Sequence, residues 1–362
     1  MSVTKLGETD ALEPGQSPVD HQSASMHSPV PQVARSPRPS IAGAGNAGRS
    51  GIKLAKISRT GDRAFFGLSA GSGAAIVLLV VFVGVFLLAL ALPSLLDNRA
   101  NFLLSHEWAV SGSQLRFGIA GLLWTTVLSS VVAMAVAVPV AIGVALFLTQ
   151  YAPQRIAGPL AFIIDLLAAV PSIVFGLWGI AVLGPRLVPI SDWLGSNLGF
   201  LPIFAPGIRS PGTVFVVSIV LAIMILPIIT AISRDVFAQT PRDHVEAALA
   251  LGATRWETIQ TAVLPYGRSG VISASMLGLG RALGETVAVM IILSKPADGS
   301  GFAPSLFAGG ETFASKIANN AAEFDTPSKT GAYIASGLVL FIVTFAVNAL
   351  ARVIADRGLA KS

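Results

Sequence analysis

The sequence predicts an all-α integral membrane protein with six transmembrane helices behind a disordered N-terminal tail. Three observations carry that prediction. The 362 residues are 53% hydrophobic and only 12% charged, where a soluble domain carries about 25% charged residues. Six stretches are each long and apolar enough to cross a hydrocarbon layer ~30 Å thick. Between the fourth and fifth lies a polar segment, Thr240–Pro265, that reads as a water-soluble helix pair held between two spans.

Residues 1–63 are rich in Ser, Pro, Gly and Ala and show no apolar period, so they read as a disordered tail. Within it, Gly43-Ala-Gly45-Asn-Ala-Gly48-Arg49-Ser50 approaches a phosphate-binding loop. That loop needs Lys where Arg49 stands, and no strand or βαβ unit surrounds it. A low-complexity linker fits better. The membrane domain covers 64–355, with spans at 74–95, 119–150, 159–184, 213–233, 268–293 and 331–351. The first apolar run starts near residue 74, too late for a cleavable signal peptide. Pro139, Pro171 and Pro227 fall inside spans, where neighbouring helices can satisfy the freed carbonyls.

The loop between the fourth and fifth spans carries its own helix signals. Thr240 is placed to cap a helix, with Pro241 at its first position and Asp243 three residues after the cap. Val245, Ala248 and Leu249 recur at helical spacing. Gly252 suits a left-handed stop, and Thr254 with Glu257 forms a capping-box pattern. Trp256, Ile259 and Val263 give the second helix an apolar face, and Pro265 is expected to stop it. These residues alone leave two readings open: an amphipathic hairpin lying on the membrane, or a handle on which a soluble partner pushes.

Orientation follows from the basic residues. With the tail in the cytoplasm, 16 of the 24 Lys and Arg lie on the side of the 240–265 loop, 7 lie opposite, and Arg281 lies within a span. The net charge of +5 therefore orients helices, and no nucleic-acid partner is expected, because the basic residues do not cluster on a soluble domain. The absence of Cys excludes disulfides and thiolate chemistry. His21, His27, His106 and His244 all lie outside the spans, and there is no HExxH motif and no intramembrane Asp pair. An enzyme and a metal site are therefore not expected.

Three ionisable residues fall inside predicted spans: Asp165, Arg281 and Glu285. Each costs ~2.5–3.5 kcal/mol at the centre of a helix on insertion scales, and such residues face a bundle interior or a watery path. Arg281 and Glu285 are four apart on one predicted helix, so they share a face and can pair. Such a pair either fixes packing or serves an anion path, since a guanidinium fork matches tetrahedral oxyanions. Asp165 lies near the cytoplasmic end of its span, where it can snorkel or pair with a helix of a partner. Ser273, Ser275, Gly278, Gly280 and Gly284 make the fifth span small-sided, and Gly280 with Gly284 has the spacing of a close helix contact.

The spacing of Glu246-Ala247-Ala248, Gly252, Ile259 and Leu264-Pro265 resembles the EAA…G…I.LP loop of ABC importer permeases. In that family the loop is a coupling helix that seats on a cytoplasmic ATPase. Leu277–Met290, reading LGLGRALGETVAVM, is similar to the span after the coupling loop in phosphate importer permeases. Pro139–Pro153 and Leu166–Gly179 resemble the second and third spans of the same family. The likeness runs from about residue 70 to the C-terminus, and the RALGET and PSIVFGLWG runs favour the PstC type over the related PstA type.

The resemblance implies a MetI-like, six-helix fold of type I ABC importers in the bacterial plasma membrane, surrounded by lipid, with both termini cytoplasmic. It implies that Arg281 and Glu285 are a charged pair in the translocation path. Its implied partners are a PstA-like permease forming a heterodimer, a dimeric cytoplasmic ATPase and an extracytoplasmic phosphate-binding protein. ATP and Mg would be held by the ATPase, so this chain would carry no cofactor. The loop 294–330 has no recognisable motif and is expected to face the binding protein. Chemistry alone leaves the anion open, because one Arg suits sulfate, molybdate or a phosphonate as well as phosphate. A non-transporting scaffold is a further reading.

Overall fold

A computed structural model of the chain describes residues 59–111, 114–296 and 301–359. The elements are α1 (Arg59–Asp97), a two-residue β-ladder of β1 (Trp108–Ala109) and β2 (Arg116–Phe117), α2 (Ala120–Leu146), α3 (Gln154–Ala168), α4 (Ser172–Trp178), α5 (Gly184–Leu198), α6 (Val214–Ala238), α7 (Arg242–Ala250), α8 (Arg255–Thr258), α9 (Leu264–Gly284), α10 (Val287–Ile292), α11 (Phe313–Asn319) and α12 (Pro327–Leu359). The chain divides after Ala64, and every element beyond the start of α1 belongs to the unit from Phe65 onward. The phosphate-loop-like run at 43–50 lies outside the described residues.

Five helical segments among the described residues are long and apolar enough to cross a membrane: Gly61–Asp97, Ala120–Tyr151, Ser172–Leu198, Val214–Ala238 and Pro327–Val353. Four coincide with predicted spans. The predicted span 159–184 is corrected. It breaks at Ala169–Pro171, where Pro171, extended at ψ 139°, stands as the residue before the next helix. A proline disfavours the α region for the residue ahead of it, here Val170. Its first part becomes the separate 15-residue α3, and the membrane helix runs instead from Ser172 to Leu198. The predicted span 268–293 is corrected too. Helix α9 has 21 residues, about 30 Å, so it has the length of a span. Its Ser, Gly and Arg content denies it the apolarity, and it ends at Gly284, where Glu285 is extended (ψ 123°).

Helix α6 is the centre of the bundle. Val216, Val217, Val220, Leu221, Met224, Ile225 and Ile229 are all buried, so the helix is enclosed on every side. Lipid tails are as apolar as leucine, so helices here associate through close packing rather than through exclusion from water. The sequence supplies that closeness with small residues. Ala133, Ala137, Ala141 and Ala145 recur every fourth residue along α2 and are all fully buried, a flat ridge against which α6 lies. Helix α9 covers the other flank of α6 with Gly267 over the Phe237 ring and Gly278 over Ile229. Gly280 and Gly284 do not pack as their spacing suggests: a Cβ at either would meet nothing within 4 Å. They lie on the side of α9 turned away from α6.

Three π-helical turns interrupt the α-helices, at Phe147–Tyr151, Gly179–Leu183 and Ile259–Val263. Each ends two residues before a proline: Pro153, Pro185 and Pro265. The helix ahead of Pro153 simply ends at Ala152, extended at ψ 131°. Inside a helix a proline ring collides with the carbonyl four residues back, which for Pro185 and Pro265 belongs to Ala181 and Thr261, the middle residue of the turn. Widening that turn moves the carbonyl aside. Pro265 therefore does not stop its helix as expected. Segments of 4, 5 and 21 residues run from Arg255 to Gly284 as one continuous helical path.

The two flanks of α9 give opposite expectations for one added methyl group. Gly267→Ala puts a Cβ 2.5 Å from the buried Phe237 ring and is expected to cost about 1–3 kcal/mol. Gly280→Ala should change stability by no more than ~0.5 kcal/mol. Thermal unfolding of the two purified variants in lipid nanodiscs compares them directly. Equal midpoints would contradict the packing described.

Candidate functional site

The loop after α6 folds as the expected helix pair, anchored at one end and open at the other. Helix α7 starts after Pro241, which has no side-chain cap. Thr240 is thus not the cap the sequence suggested. Its N–H donates to Phe237 O at 3.2 Å, which makes it the last turn of α6, and its buried hydroxyl has no partner. Helix α7 ends as Gly252 was expected to end it, at φ +87°. Ala253 N–H donates to Ala248 O (3.1 Å) and Gly252 N–H to Leu249 O (3.0 Å), the paired bonds of a Schellman stop. The capping box also forms. Thr254 N–H donates to Glu257 Oε2 at 2.7 Å, and Glu257 N–H donates to Thr254 Oγ1 at 3.3 Å. The Thr254 N–H and the Thr254 hydroxyl, which donates to the same Oε2 at 2.8 Å, hold the Glu257 carboxyl below the usual carboxylate range.

Ile259 and Val263 seat this pair against Ala145, Leu146 and Phe237 at the ends of α2 and α6. The Arg255 guanidinium donates to Gln150 O at 3.5 Å. Trp256 does not share that buried face: it is 53% exposed, because residues 256 and 263 fall on different sides once the π turn changes the helical phase. Of the hairpin residues singled out from the sequence, Glu246, Ala247, Gly252 and Pro265 are exposed, while Ala248 and Leu264 are half-buried. The sequence reading missed Leu251, which is 90% exposed. Its signal was an apolar residue directly before the stop glycine, out of register with the buried pattern. Leu249, Leu251 and Trp256 together leave the hairpin with exposed apolar surface beside an acidic side chain.

The structure does not bring the hairpin and the intramembrane charges together. Arg281 stands near the far end of the helical path that begins at Arg255, 26 residues and so about 39 Å along it at 1.5 Å per residue. The Arg281 side chain is half-buried, and its Nε is buried without a hydrogen-bond partner. The expected pair with Glu285 does not form. The helix stops at Gly284, so the four-residue register that would align the two side chains is lost. Glu285 Oε1 instead accepts from Ala288 N–H at 3.2 Å, at the start of α10. Among the described residues the Arg281 guanidinium has no ion-pair partner, and it lies beside the face of α9 that carries Ser273, Leu277 and Gly284, all exposed.

Asp165 is corrected as well. It lies on α3 and faces Arg234 of this same chain, with 3.6 Å between Nη1 and Oδ2. Arg234 also contacts Asp235 at 3.1 Å. The sequence could not show this pairing, because 69 positions separate Asp165 from Arg234.

The fold is that of a helical integral membrane protein whose capped hairpin leads by one continuous helical path to Arg281. Residues 137–358 match the family described as binding-protein-dependent transport system inner membrane component, and the chain belongs to that family. It is thus a transport component of the inner membrane rather than an enzyme. It is 55% identical over 302 residues to the phosphate transport system permease protein PstC 2 of Mycobacterium tuberculosis, covering 82% of this chain and 93% of that one. The phosphate transport system permease protein PstC of Mycobacterium leprae is 54% identical over 75% of this chain and 85% of its own. That of Xylella fastidiosa is 40% identical over 75% and 86%.

Only a residue at ease with positive φ fits position 252. Gly252→Val is expected to cost about 1–2 kcal/mol locally. The readout is faster amide hydrogen exchange across 242–263 with the rest of the chain unchanged. Unaltered protection would show that the turn does not need its glycine.

Proposed function

We propose that this chain is one of two permease subunits of an ATP-driven importer of inorganic phosphate. The observation that carries the substrate is the 55% identity, over 82% of the chain, to a permease named for phosphate transport. The second permease would be of the PstA type, completing the translocation path as a heterodimer. Its natural seat is the unpacked side of α9. On that side a Cβ at Gly280 or Gly284 would meet nothing within 4 Å.

In this reading the hairpin is the coupling element. Glu246, Ala247, Ala248 and Gly252 enter a groove of a dimeric cytoplasmic ATPase, which holds ATP and Mg. Exposed Leu249 and Leu251 add apolar contact, and Leu264 with Pro265 joins the hairpin to α9. The tail and both termini lie in the cytoplasm, with 1–63 outside the membrane domain 64–355. Closure of the ATPase pushes the hairpin, and the continuous helix carries that push to Arg281. The unpaired guanidinium supplies positive charge and a two-point fork for phosphate oxygens. Glu285 sets the joint between α9 and α10 and tunes the field at Arg281. An extracytoplasmic phosphate-binding protein delivers the anion from the other face.

Uptake of radiolabelled phosphate at low micromolar concentration tests this in cells lacking the chain and complemented with variants. Wild type should restore uptake that excess sulfate, molybdate or phosphonate does not inhibit. Arg281→Ala should abolish uptake while still co-purifying with its partners, and Glu285→Gln should lower it. Glu246→Arg should weaken ATPase retention about tenfold or more. Full uptake by an assembled Arg281→Ala complex would remove Arg281 from the path, and inhibition by another oxyanion would reassign the substrate.

A further inference from the structure

On the side of the bundle opposite the hairpin, the connections between helices enclose a cavity of about 650 Å³. Its floor is the first turns of α2, at Leu122 and Thr125, and its wall includes Ser210, ahead of α6. Backbone bonds fix the walls: Ile208 N–H to Phe307 O (2.9 Å), Ser294 N–H to Gly212 O (3.0 Å) and Gly310 N–H to Ser294 O (3.0 Å). Thr126 Oγ1 accepts from Phe313 N–H at 3.2 Å and holds α11 beside α2. The described connections are therefore pinned to one another by backbone hydrogen bonds. Its rim is aromatic, with His106 stacked on Phe302 at 4.0 Å between ring centroids.

The charges inside are arranged unequally. The Glu311 side chain is nine-tenths buried, and its Oε2 lies 2.7 Å from Lys316 Nζ. Lys316 also sits 5.2 Å from the centre of the Trp108 ring, so carboxylate and indole both hold it. Lys295 is different. Its side chain is 52% exposed, and its ammonium is 3.9 Å from Glu311 Oε1, beyond hydrogen-bond reach. That oxygen has no hydrogen-bond partner. Lys295 can leave Glu311 at little cost, because Lys316 still neutralises the buried carboxylate. Among the described lining residues the cavity thus offers one exchangeable cation, Lys295, in a mainly apolar hollow where two lysines face one carboxylate.

We propose that this cavity receives an acidic side chain carried on a loop of the extracytoplasmic binding protein, with Lys295 as its counter-ion. The inference rests on the orientation and partners proposed above. Two features favour a protein loop over free phosphate. The hollow lies within the ~300–1,000 Å³ range of sites for larger ligands, and a single tetrahedral ion would fill only a small part of it. Among the described lining residues only Lys295 is an available cation, whereas a phosphate dianion calls for several converging donors. An Asp or Glu side chain needs one ammonium, and the backbone around it can rest on the aromatic rim.

The test uses the assembled transporter in nanodiscs, with its second permease and ATPase. Phosphate-loaded binding protein is titrated in, and ATP hydrolysis is read. Lys295→Glu should raise the half-saturating concentration of binding protein about tenfold or more, and Lys295→Arg should keep it within about threefold of wild type. Salt should weaken wild-type docking more than that of Lys295→Gln. Lys329→Gln removes an outer lysine that pairs with Asp325 and does not line the cavity, and it should leave half-saturation unchanged. If the Lys295→Glu complex does not assemble, Lys295→Gln carries the comparison with a smaller expected rise. Half-saturation unmoved by either variant overturns the proposal. So does a loss of free phosphate binding to the complex without its binding protein while docking is intact, which would make the cavity a small-anion site. A wrong substrate shows separately, as stimulation only by binding protein loaded with another oxyanion; the dependence of docking on Lys295 is then read with that protein.

Discussion

Inside a membrane a chain must satisfy its own backbone, and every proline removes one N–H and strikes the carbonyl four residues earlier. Pro265 stands where a handle in the water must connect to a helix in the lipid. An α-helix broken there would uncouple the two. The π turn at Ile259–Val263 removes that conflict, and a single helical path from Arg255 to Gly284 results. Two consequences follow from this continuity: the hairpin is fixed in orientation to α9, and Arg281 is fixed in orientation to the hairpin. The same solution recurs before Pro185, where the membrane helix from Ser172 to Leu198 stays whole.

Side-chain size then decides which helices can meet. The alanine ridge of α2 and the glycines of α9 let both approach α6, whose large Val, Leu and Ile side chains fill the space between. Small residues do not act alike at every position. Gly267 and Gly278 are pressed against side chains, while Gly280 and Gly284 face nothing in this chain. One helix is thus sealed on one flank and vacant on the other, and the vacant flank is where the unpaired cation lies. A partner helix there would bury the guanidinium and line the path with backbone rather than with bulky side chains.

Much of this could be read from the sequence, because it depends on local chemistry. Gly252, Thr254 and Glu257 announced a turn and a cap that form with the expected bonds. The apolar runs gave four spans directly. What could not be read depends on competition between neighbours. Whether Pro265 stops a helix depends on whether the turn before it can widen. Whether Arg281 pairs with Glu285 depends on where the helix ends, and the end falls one residue before Glu285. Hydropathy missed the break at Pro171 because Val170 and Pro171 are themselves compatible with lipid. It overstated the 268–293 stretch, because Ser, Gly and Arg dilute its apolar residues and the helix ends at Gly284. The Lys295, Glu311 and Lys316 cluster had no signal in sequence at all, since nothing in the spacing of 295, 311 and 316 says that they share a cavity.

The break at Glu285–Thr286 has a kinematic meaning. Helix α10 is wedged against Gly176 by Ala288 and Ile291, and against Gly179 by Ile292, so it moves with α4 and α6 as one block. The rod from Arg255 to Gly284 packs on α6, α2 and α12, and its side at Ser273, Leu277 and Gly284 is exposed. A rod about 45 Å long that tilts by about 5° at its foot displaces its tip by roughly 4 Å. The slack for that stroke has to come from the two residues that belong to neither helix. Gear ratio, rather than affinity, would then be what a substitution at Glu285 or Thr286 alters: the same push from below would arrive at the guanidinium as a shorter or a longer travel.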